Sequence, residues 1–280
     1  MAMKAVNKKV VAFVMGATGT GKSKLSVSLA ARIGGEIINS DKIQVYRGLD
    51  VVGNKIPEAE MLGVPHHLLG HIWNPNENYT ARDFCFEATS VIRRIIGSGK
   101  VPVVVGGSNS FLEALVEDPE FKFKSNYLGC FIWLDVSPNV LNTFVSKRVD
   151  EMVNQGLVEE VRGIFGPDKD YTKGIRRAIG VPEMDKYLRA ESNKDMSDAE
   201  KKALLESAIA EIKTNTMGLI RNQVRKIRRL RDELGWPIHR IDPTAVFQIE
   251  GDKQAREAAW LNMVFNPSFN VLQQYLKNNI

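Results

Sequence analysis

Gly16-Ala17-Thr18-Gly19-Thr20-Gly21-Lys22-Ser23 follows the apolar, β-branched run VVAFV at residues 10–14, and Leu25, Leu29 and Ile33 recur after it at helical spacing. Strand, glycine-rich turn and helix in that order are the context in which G-x-x-x-x-G-K-[ST] forms a phosphate-binding loop. Glycines let successive backbone N–H groups turn inward toward phosphate oxygens, the new helix adds the positive end of its dipole, and Lys22 brings a mobile cation. Ser23 is the expected Mg2+ ligand through its hydroxyl. Phosphate binding follows from the pattern; which phosphate does not.

Further strands are expected at residues 36–40, 101–105 and 128–136, each a short apolar run. Residues 80–96 place Phe84, Ala88, Val91, Ile92 and Ile95 on one helical face that can cover a sheet. Apolar strands alternating with helices indicate an α/β fold, a P-loop NTPase-like parallel sheet flanked by helices. After Ser137-Pro138, a helix start with proline at its first position, helical signals dominate. The reading is therefore a core of residues 1–136 with part of the C-terminal region, a smaller, mostly helical substrate-binding domain over about 137–220, and helices over about 221–280 that return to the core. Ser197 or Asp198 should cap a helix from 199 to 217.

The chain has 280 residues, 44% hydrophobic and 25% charged, with net charge +5. No apolar run is long enough to span a bilayer, so no membrane partner is expected. Two cysteines, Cys85 and Cys130, are too few for a disulfide framework or a four-ligand zinc site. Residues 1–9 are too short and polar for a signal peptide. Basic residues cluster at Lys169, Lys173, Arg176 and Arg177, and again at Lys213, Arg221, Arg225, Lys226, Arg228, Arg229 and Arg231. Such a stretch can hold RNA backbone or nucleotide phosphates, or be a solvated face.

Asn39-Ser40-Asp41-Lys42-Ile43-Gln44-Val45-Tyr46-Arg47-Gly48 begins at the carboxyl end of the second strand, the same sheet edge as the phosphate loop. A carboxylate there, Asp41, can hold Mg2+, cap a helix or act as a general base. Ser108, after Gly106-Gly107, reads equally as a helix cap or a catalytic hydroxyl, and Gln44 and Tyr46 as base contacts or packing. Asp135 can reach Mg2+ or cap the helix at Ser137. His66 and His67 would face apart in a strand or a helix, which argues against a paired metal site.

These segments, GATGTGKS, SDKIQVYRGLD, Pro65-His66-His67-Leu68 and Gly106-Gly107-Ser108-Asn109, resemble the isopentenyltransferase family. The resemblance continues through Gly174-Ile-Arg-Arg-Ala-Ile-Gly180 and Asn222-Gln-Val-Arg-Lys-Ile-Arg-Arg-Leu230 to Trp236-Pro-Ile-His-Arg240. That family includes tRNA dimethylallyltransferases and the plant adenylate isopentenyltransferases of cytokinin synthesis. The resemblance implies that the loop holds dimethylallyl diphosphate through Gly16, Ala17, Thr18, Gly19, Thr20, Gly21, Lys22 and Ser23. It makes Asp41 the base on an adenine amine, with Lys22 and Ser108 beside the reaction. Arg221 would replace an arginine that tRNA-modifying members carry where this chain has Asn222. Nucleotide contacts are expected from Ser40, Gln44, Lys169, Arg176, Arg177 and Arg225.

No paired cysteines follow Cys130, so the C-terminal zinc finger of many eukaryotic tRNA-modifying members cannot form. The chain thus resembles the plant adenylate enzymes more closely. This implies dimethylallyl diphosphate and ATP, ADP or AMP as substrates and Mg2+ as cofactor. It further implies a monomer, with a plastid or cytoplasmic location and any transit peptide already removed; tRNA is not expected as the acceptor. Transfer to tRNA is the alternative within the family. A P-loop small-molecule kinase and a regulatory nucleotide-binding module are the alternatives outside it.

Overall fold

β1 (Lys9–Gly16) lies at the centre of the molecule because its residues are apolar on both sides. Val11, Phe13 and Met15 enter one hydrophobic core and Val10, Ala12 and Val14 the other. This is the two-residue alternation of a strand buried on both faces. The computed structural model describes residues 8–166 and 168–278; the short N-terminal stretch falls largely outside them.

α1 (Lys22–Ile33) leads to β2 (Glu36–Asn39) and, after a long excursion, to the two-residue strand β3 (His66–His67). α2 (Ala81–Gly97), β4 (Pro102–Val105), α3 (Asn109–Glu117), the short α4 (Phe123–Asn126) and β5 (Tyr127–Leu134) follow. Then come α5 (Pro138–Asn154), α6 (Leu157–Ile164), α7 (Asp185–Glu191) and α8 (Asp198–Asp232). The chain returns as β6 (Ile238–Ile241), α9 (Thr244–Phe247), α10 (Lys253–Trp260) and α11 (Asn266–Lys277). The six strands form one parallel sheet in the order β3-β2-β4-β1-β5-β6. Both the loop after β1 and the loop after β2 therefore open at the carboxyl edge, on either side of β4.

Two edge strands are additions to the sequence reading. β3 is only two residues long, and β6 sets His239 and Arg240 side by side between two isoleucines directly after Pro237, so neither carries a strong apolar signal. The histidine pair of β3 serves the sheet edge. His66 Nδ1 meets Val64 O at 2.8 Å, while His67 Nε2 meets Glu36 Oε2 at 2.7 Å.

α8 continues fifteen residues past the expected end at 217, through the basic stretch and across the boundary drawn near 220. Its start is capped as the sequence indicates: Ser197 accepts from Glu200 N and the Glu200 side chain returns to Ser197 N. It has no proline, and the single Gly218 does not stop it; the turn comes at Gly235-Trp236-Pro237. α5 begins at Pro138 as read, but Ser137 makes no side-chain cap. Its N–H instead donates to Thr244 Oγ1 at 2.8 Å.

Candidate active site

The phosphate loop closes on itself before α1 begins. Ala17 O accepts from Thr20 Oγ1 at 2.9 Å and from Lys22 Nζ at 2.7 Å, which draws the lysine back over the turn. Gly21 stands in the left-handed region (φ 87°), and a Cβ there would meet the Trp260 ring at 2.6 Å, so both the backbone and the indole require glycine. No side chain caps the start of α1, and its first turn carries no acidic residue. The helix thus presents uncapped N–H groups to an anion.

Two residues of later helices hold the loop from outside. Thr18 N donates to Gln223 Oε1 at 2.8 Å, and Thr18 Oγ1 accepts from Arg148 Nη2 at 3.1 Å. Burial lowers the pKa of Lys22 to about 8; the Asp41 carboxylate pulls it up, and the Arg148 guanidinium pushes it further down. Burial likewise lowers that of Arg148.

Asp41 divides its carboxylate between two tasks. Oδ1 accepts from Ile43 N at 2.9 Å and Gln44 N at 3.4 Å, tying the turn after β2. No hydrogen bond reaches Oδ2 among the described residues, and this oxygen sits against Gly107, whose added Cβ would come within 3.3 Å of it. No helix starts at the turn after Asp41 among the described residues, so Oδ1 ties a turn and caps no helix, while Oδ2 stays open for the base reading. Ser108 makes no helix cap; its Oγ accepts from Lys42 N at 2.9 Å and holds the Asp41 turn against the turn after β4.

Lys22, Ser23, Asp41, Gln44, Arg177 and Gln223 share one cavity of about 410 Å3. Its apolar wall is made by Val52, Val149, Met152, Ile179, Ile212 and Leu219, contributed by the long loop after β2, by α5, by the loop before α7 and by α8. A larger cavity of about 790 Å3 lies behind the loop against Phe247 and Trp260, and one of about 510 Å3 under residues 47–61. Neither includes Asp41.

The expected nucleotide contacts separate into two groups. Gln44 lines the cavity, its Nε2 donating to Gly53 O at 3.0 Å and Asn54 O at 3.2 Å. Arg177 lines it too and keeps Nη2 buried without a partner among the described residues. Ser40 is buried beneath Gly106 with its hydroxyl unpartnered among the described residues. Arg176, by contrast, turns into the protein and donates to Asn76 Oδ1, fastening residues 174–177 to the loop before α2. Lys169 lies in an exposed turn. Arg221 and Arg225 are on the exposed face of α8, about 200° around the helix from Gln223, and Arg225 Nη2 donates to Asn222 Oδ1. Asp135 is taken by Arg240 Nε at 2.6 Å and caps no helix.

Three residues of the site were not singled out from the sequence. Lys42 stands in the quoted SDKIQ segment; burial and then Arg177, with Lys226 adding to it, hold its pKa below the ordinary lysine value against the pull of Asp41. Gln223 is buried on the inner face of α8, where a glutamine among arginines gives no periodic signal. Arg148 sits between Val145 and Val149 on a helix whose pattern reads only as amphipathic.

The family model described as IPP transferase matches residues 44–128 and 119–230. Adenylate isopentenyltransferase 5, chloroplastic, of Arabidopsis thaliana is 50% identical over 96% of this chain and 81% of its own length. Adenylate isopentenyltransferase 7, mitochondrial, of the same plant is 48% identical over 97% and 82%. Adenylate isopentenyltransferase of Humulus lupulus is 38% identical over 94% and 89%. Among solved structures, a eukaryotic dimethylallyltransferase acting on tRNA superposes with a TM-score of 0.73 at 25% identity, covering 91% of this chain and 79% of that one. The tRNA isopentenylpyrophosphate transferase of Bacillus halodurans gives 0.69 at 26%, covering 95% and 99%.

Proposed function

The chain belongs to the IPP transferase family, and on that premise we propose that it is an adenylate prenyltransferase. It moves the dimethylallyl group of dimethylallyl diphosphate to N6 of the adenine of ATP, ADP or AMP and releases diphosphate, the step that would begin cytokinin formation. One observation carries the chemistry: a carboxylate oxygen of Asp41 accepts no hydrogen bond from the described residues and lies in the same cavity as the phosphate-loop lysine, beside an apolar wall.

The adenine amine is a weak nucleophile because its lone pair is delocalised into the ring. Asp41 Oδ2 accepts its proton as the new C–N bond forms. The allylic C–O bond breaks as that bond forms, and the charge left on the diphosphate is met by Lys22, Arg148 and the N–H groups of the loop. Val52, Val149, Ile179 and Leu219 keep water from the allylic carbon. Lys42 and Arg177, with Lys226 beside them, supply the cationic rim for the acceptor's phosphates in place of Lys169, Arg176 and Arg225.

Mg2+ fits the donor set as an ion carried on the diphosphate. No group of three or more His, Cys, Asp or Glu that could hold a metal occurs among the described residues, and Asp135 is already paired. Ser23 lines the cavity with a hard oxygen, the kind of single protein ligand that Mg2+ takes alongside substrate phosphates. Bound there, the ion would neutralise charge on the leaving group. Named chloroplastic and mitochondrial relatives make an organelle, and the plastid first, the proposed compartment.

Incubation with dimethylallyl diphosphate, Mg2+ and ATP should add C5H8 to the nucleotide, read by mass spectrometry, with its triphosphate intact. Asp41→Asn should lower turnover about a thousandfold and leave diphosphate binding, measured by calorimetry, within about threefold. ADP and a phosphorylated third compound as products would point to a kinase instead.

A further inference from the structure

Gln223 is buried inside α8 and uses both ends of its carboxamide. Oε1 accepts from Thr18 N of the phosphate loop at 2.8 Å, and Nε2 donates to Gly107 O at 3.0 Å. Its backbone carbonyl accepts from Asn109 Nδ2 at 3.2 Å, which fixes the first turn of α3 to the same point of α8. The Gly107 turn in turn carries the base: Gly107 abuts Asp41 Oδ2, Gly106 abuts Ser40 and the Asp41 N–H, and Ser108 Oγ accepts from Lys42 N. Gly107 is closed to any side chain by this arrangement, because a Cβ there would lie 2.4 Å from Gln223 Nε2.

The loop that holds the leaving group and the turn that holds the base come from different crossovers of the sheet. The Gln223 carboxamide bonds to both. Resting on the prenyl-transfer reading, we infer that Gln223 is a positioning residue which sets the spacing between the diphosphate cradle and the Asp41 carboxylate. It touches neither reacting atom. With the spacing kept, the adenine amine meets the allylic carbon as the leaving group departs. With the spacing relaxed, water takes that carbon: the C–O bond to diphosphate breaks, a C–O bond to water forms, and the water proton leaves to Asp41 or solvent, giving dimethylallyl alcohol and diphosphate.

The distinguishing quantity is the ratio of diphosphate released to prenylated nucleotide formed, measured with dimethylallyl diphosphate and ATP. Wild type should give a ratio of about one. Gln223→Met, of similar shape but without either hydrogen bond, should lower kcat about thirtyfold, keep the donor KM within about threefold, and raise the ratio above about two, as expected when reacting groups lose their alignment. Gln223→Glu keeps an acceptor for Thr18 and loses the donation to Gly107 O; it should also uncouple, and it carries the test if the methionine variant does not fold. Asn222→Ala, next to it on the exposed face, should leave the ratio unchanged. A Gln223 variant that turns over slowly with a ratio of about one has only a structural defect and overturns the inference, as does unchanged kcat. A wild-type enzyme that forms no prenylated nucleotide overturns the transfer reading itself, and the inference with it.

Discussion

Lys22 is a half-buried cation whose pKa falls to about 8, chiefly through desolvation. Its protonated form is the one that meets diphosphate, so donor capture should be level below that pH. Above it, kcat/KM for dimethylallyl diphosphate should fall with the free-enzyme pKa, approaching tenfold per pH unit. A profile that stays level to about pH 9.5 would show that Lys22 does not supply this charge. The P-loop and the place of Asp41 at the sheet edge were legible from residue order, because each lies where an apolar strand ends; the role of Asp41 as base came only from the family resemblance. Arg148 and Gln223 were not legible, since they reach the loop from helices far along the chain and nothing local marks them. Arg176 and Arg177 are neighbours of identical chemistry, yet one turns to Asn76 and the other to the cavity. Composition cannot separate them; only the turn geometry does.

α8 joins the apolar wall, through Ile212 and Leu219, to the strut at Gln223. A helix of 35 residues depends on its caps and on tertiary packing more than on intrinsic propensity. Ser197→Ala removes both the cap and the partner of Glu200, and should cost about 1 kcal/mol in urea unfolding with an unchanged m value. No loss of midpoint would mean that the first turn is already frayed. The start of α8 was readable from Ser197-x-x-Glu200, a local signal. Its end was not, because the basic stretch invited a boundary where the backbone has no breaker. The middle of the excursion after β2 is likewise fastened by a distant side chain: Glu160 accepts from Val51 N at 3.0 Å and Val52 N at 2.9 Å, which places Val52 in the wall.

At the scale of the molecule, one parallel sheet brings a phosphate loop and a carboxylate-bearing turn to the same edge, and the helices after β5 close an apolar wall around them. The fold class follows from strands that are apolar on both faces, each of which can be recognised in the sequence. The edge strands β3 and β6 escape recognition because pairing with a formed sheet, more than their own composition, makes them strands. The solved neighbours are proteins described as acting on tRNA, while the close sequence relatives are adenylate enzymes. Lys42 and Arg177 place two cations at the cavity that holds Asp41.

The most direct measurement places ATP and unmodified tRNA together, at equal adenine-site concentration, with dimethylallyl diphosphate, Mg2+ and the purified chain, and follows C5H8 into each by mass spectrometry. Prenylation of the nucleotide, with the tRNA left unmodified, is the expected result. Label in the tRNA alone would contradict the assignment of the acceptor.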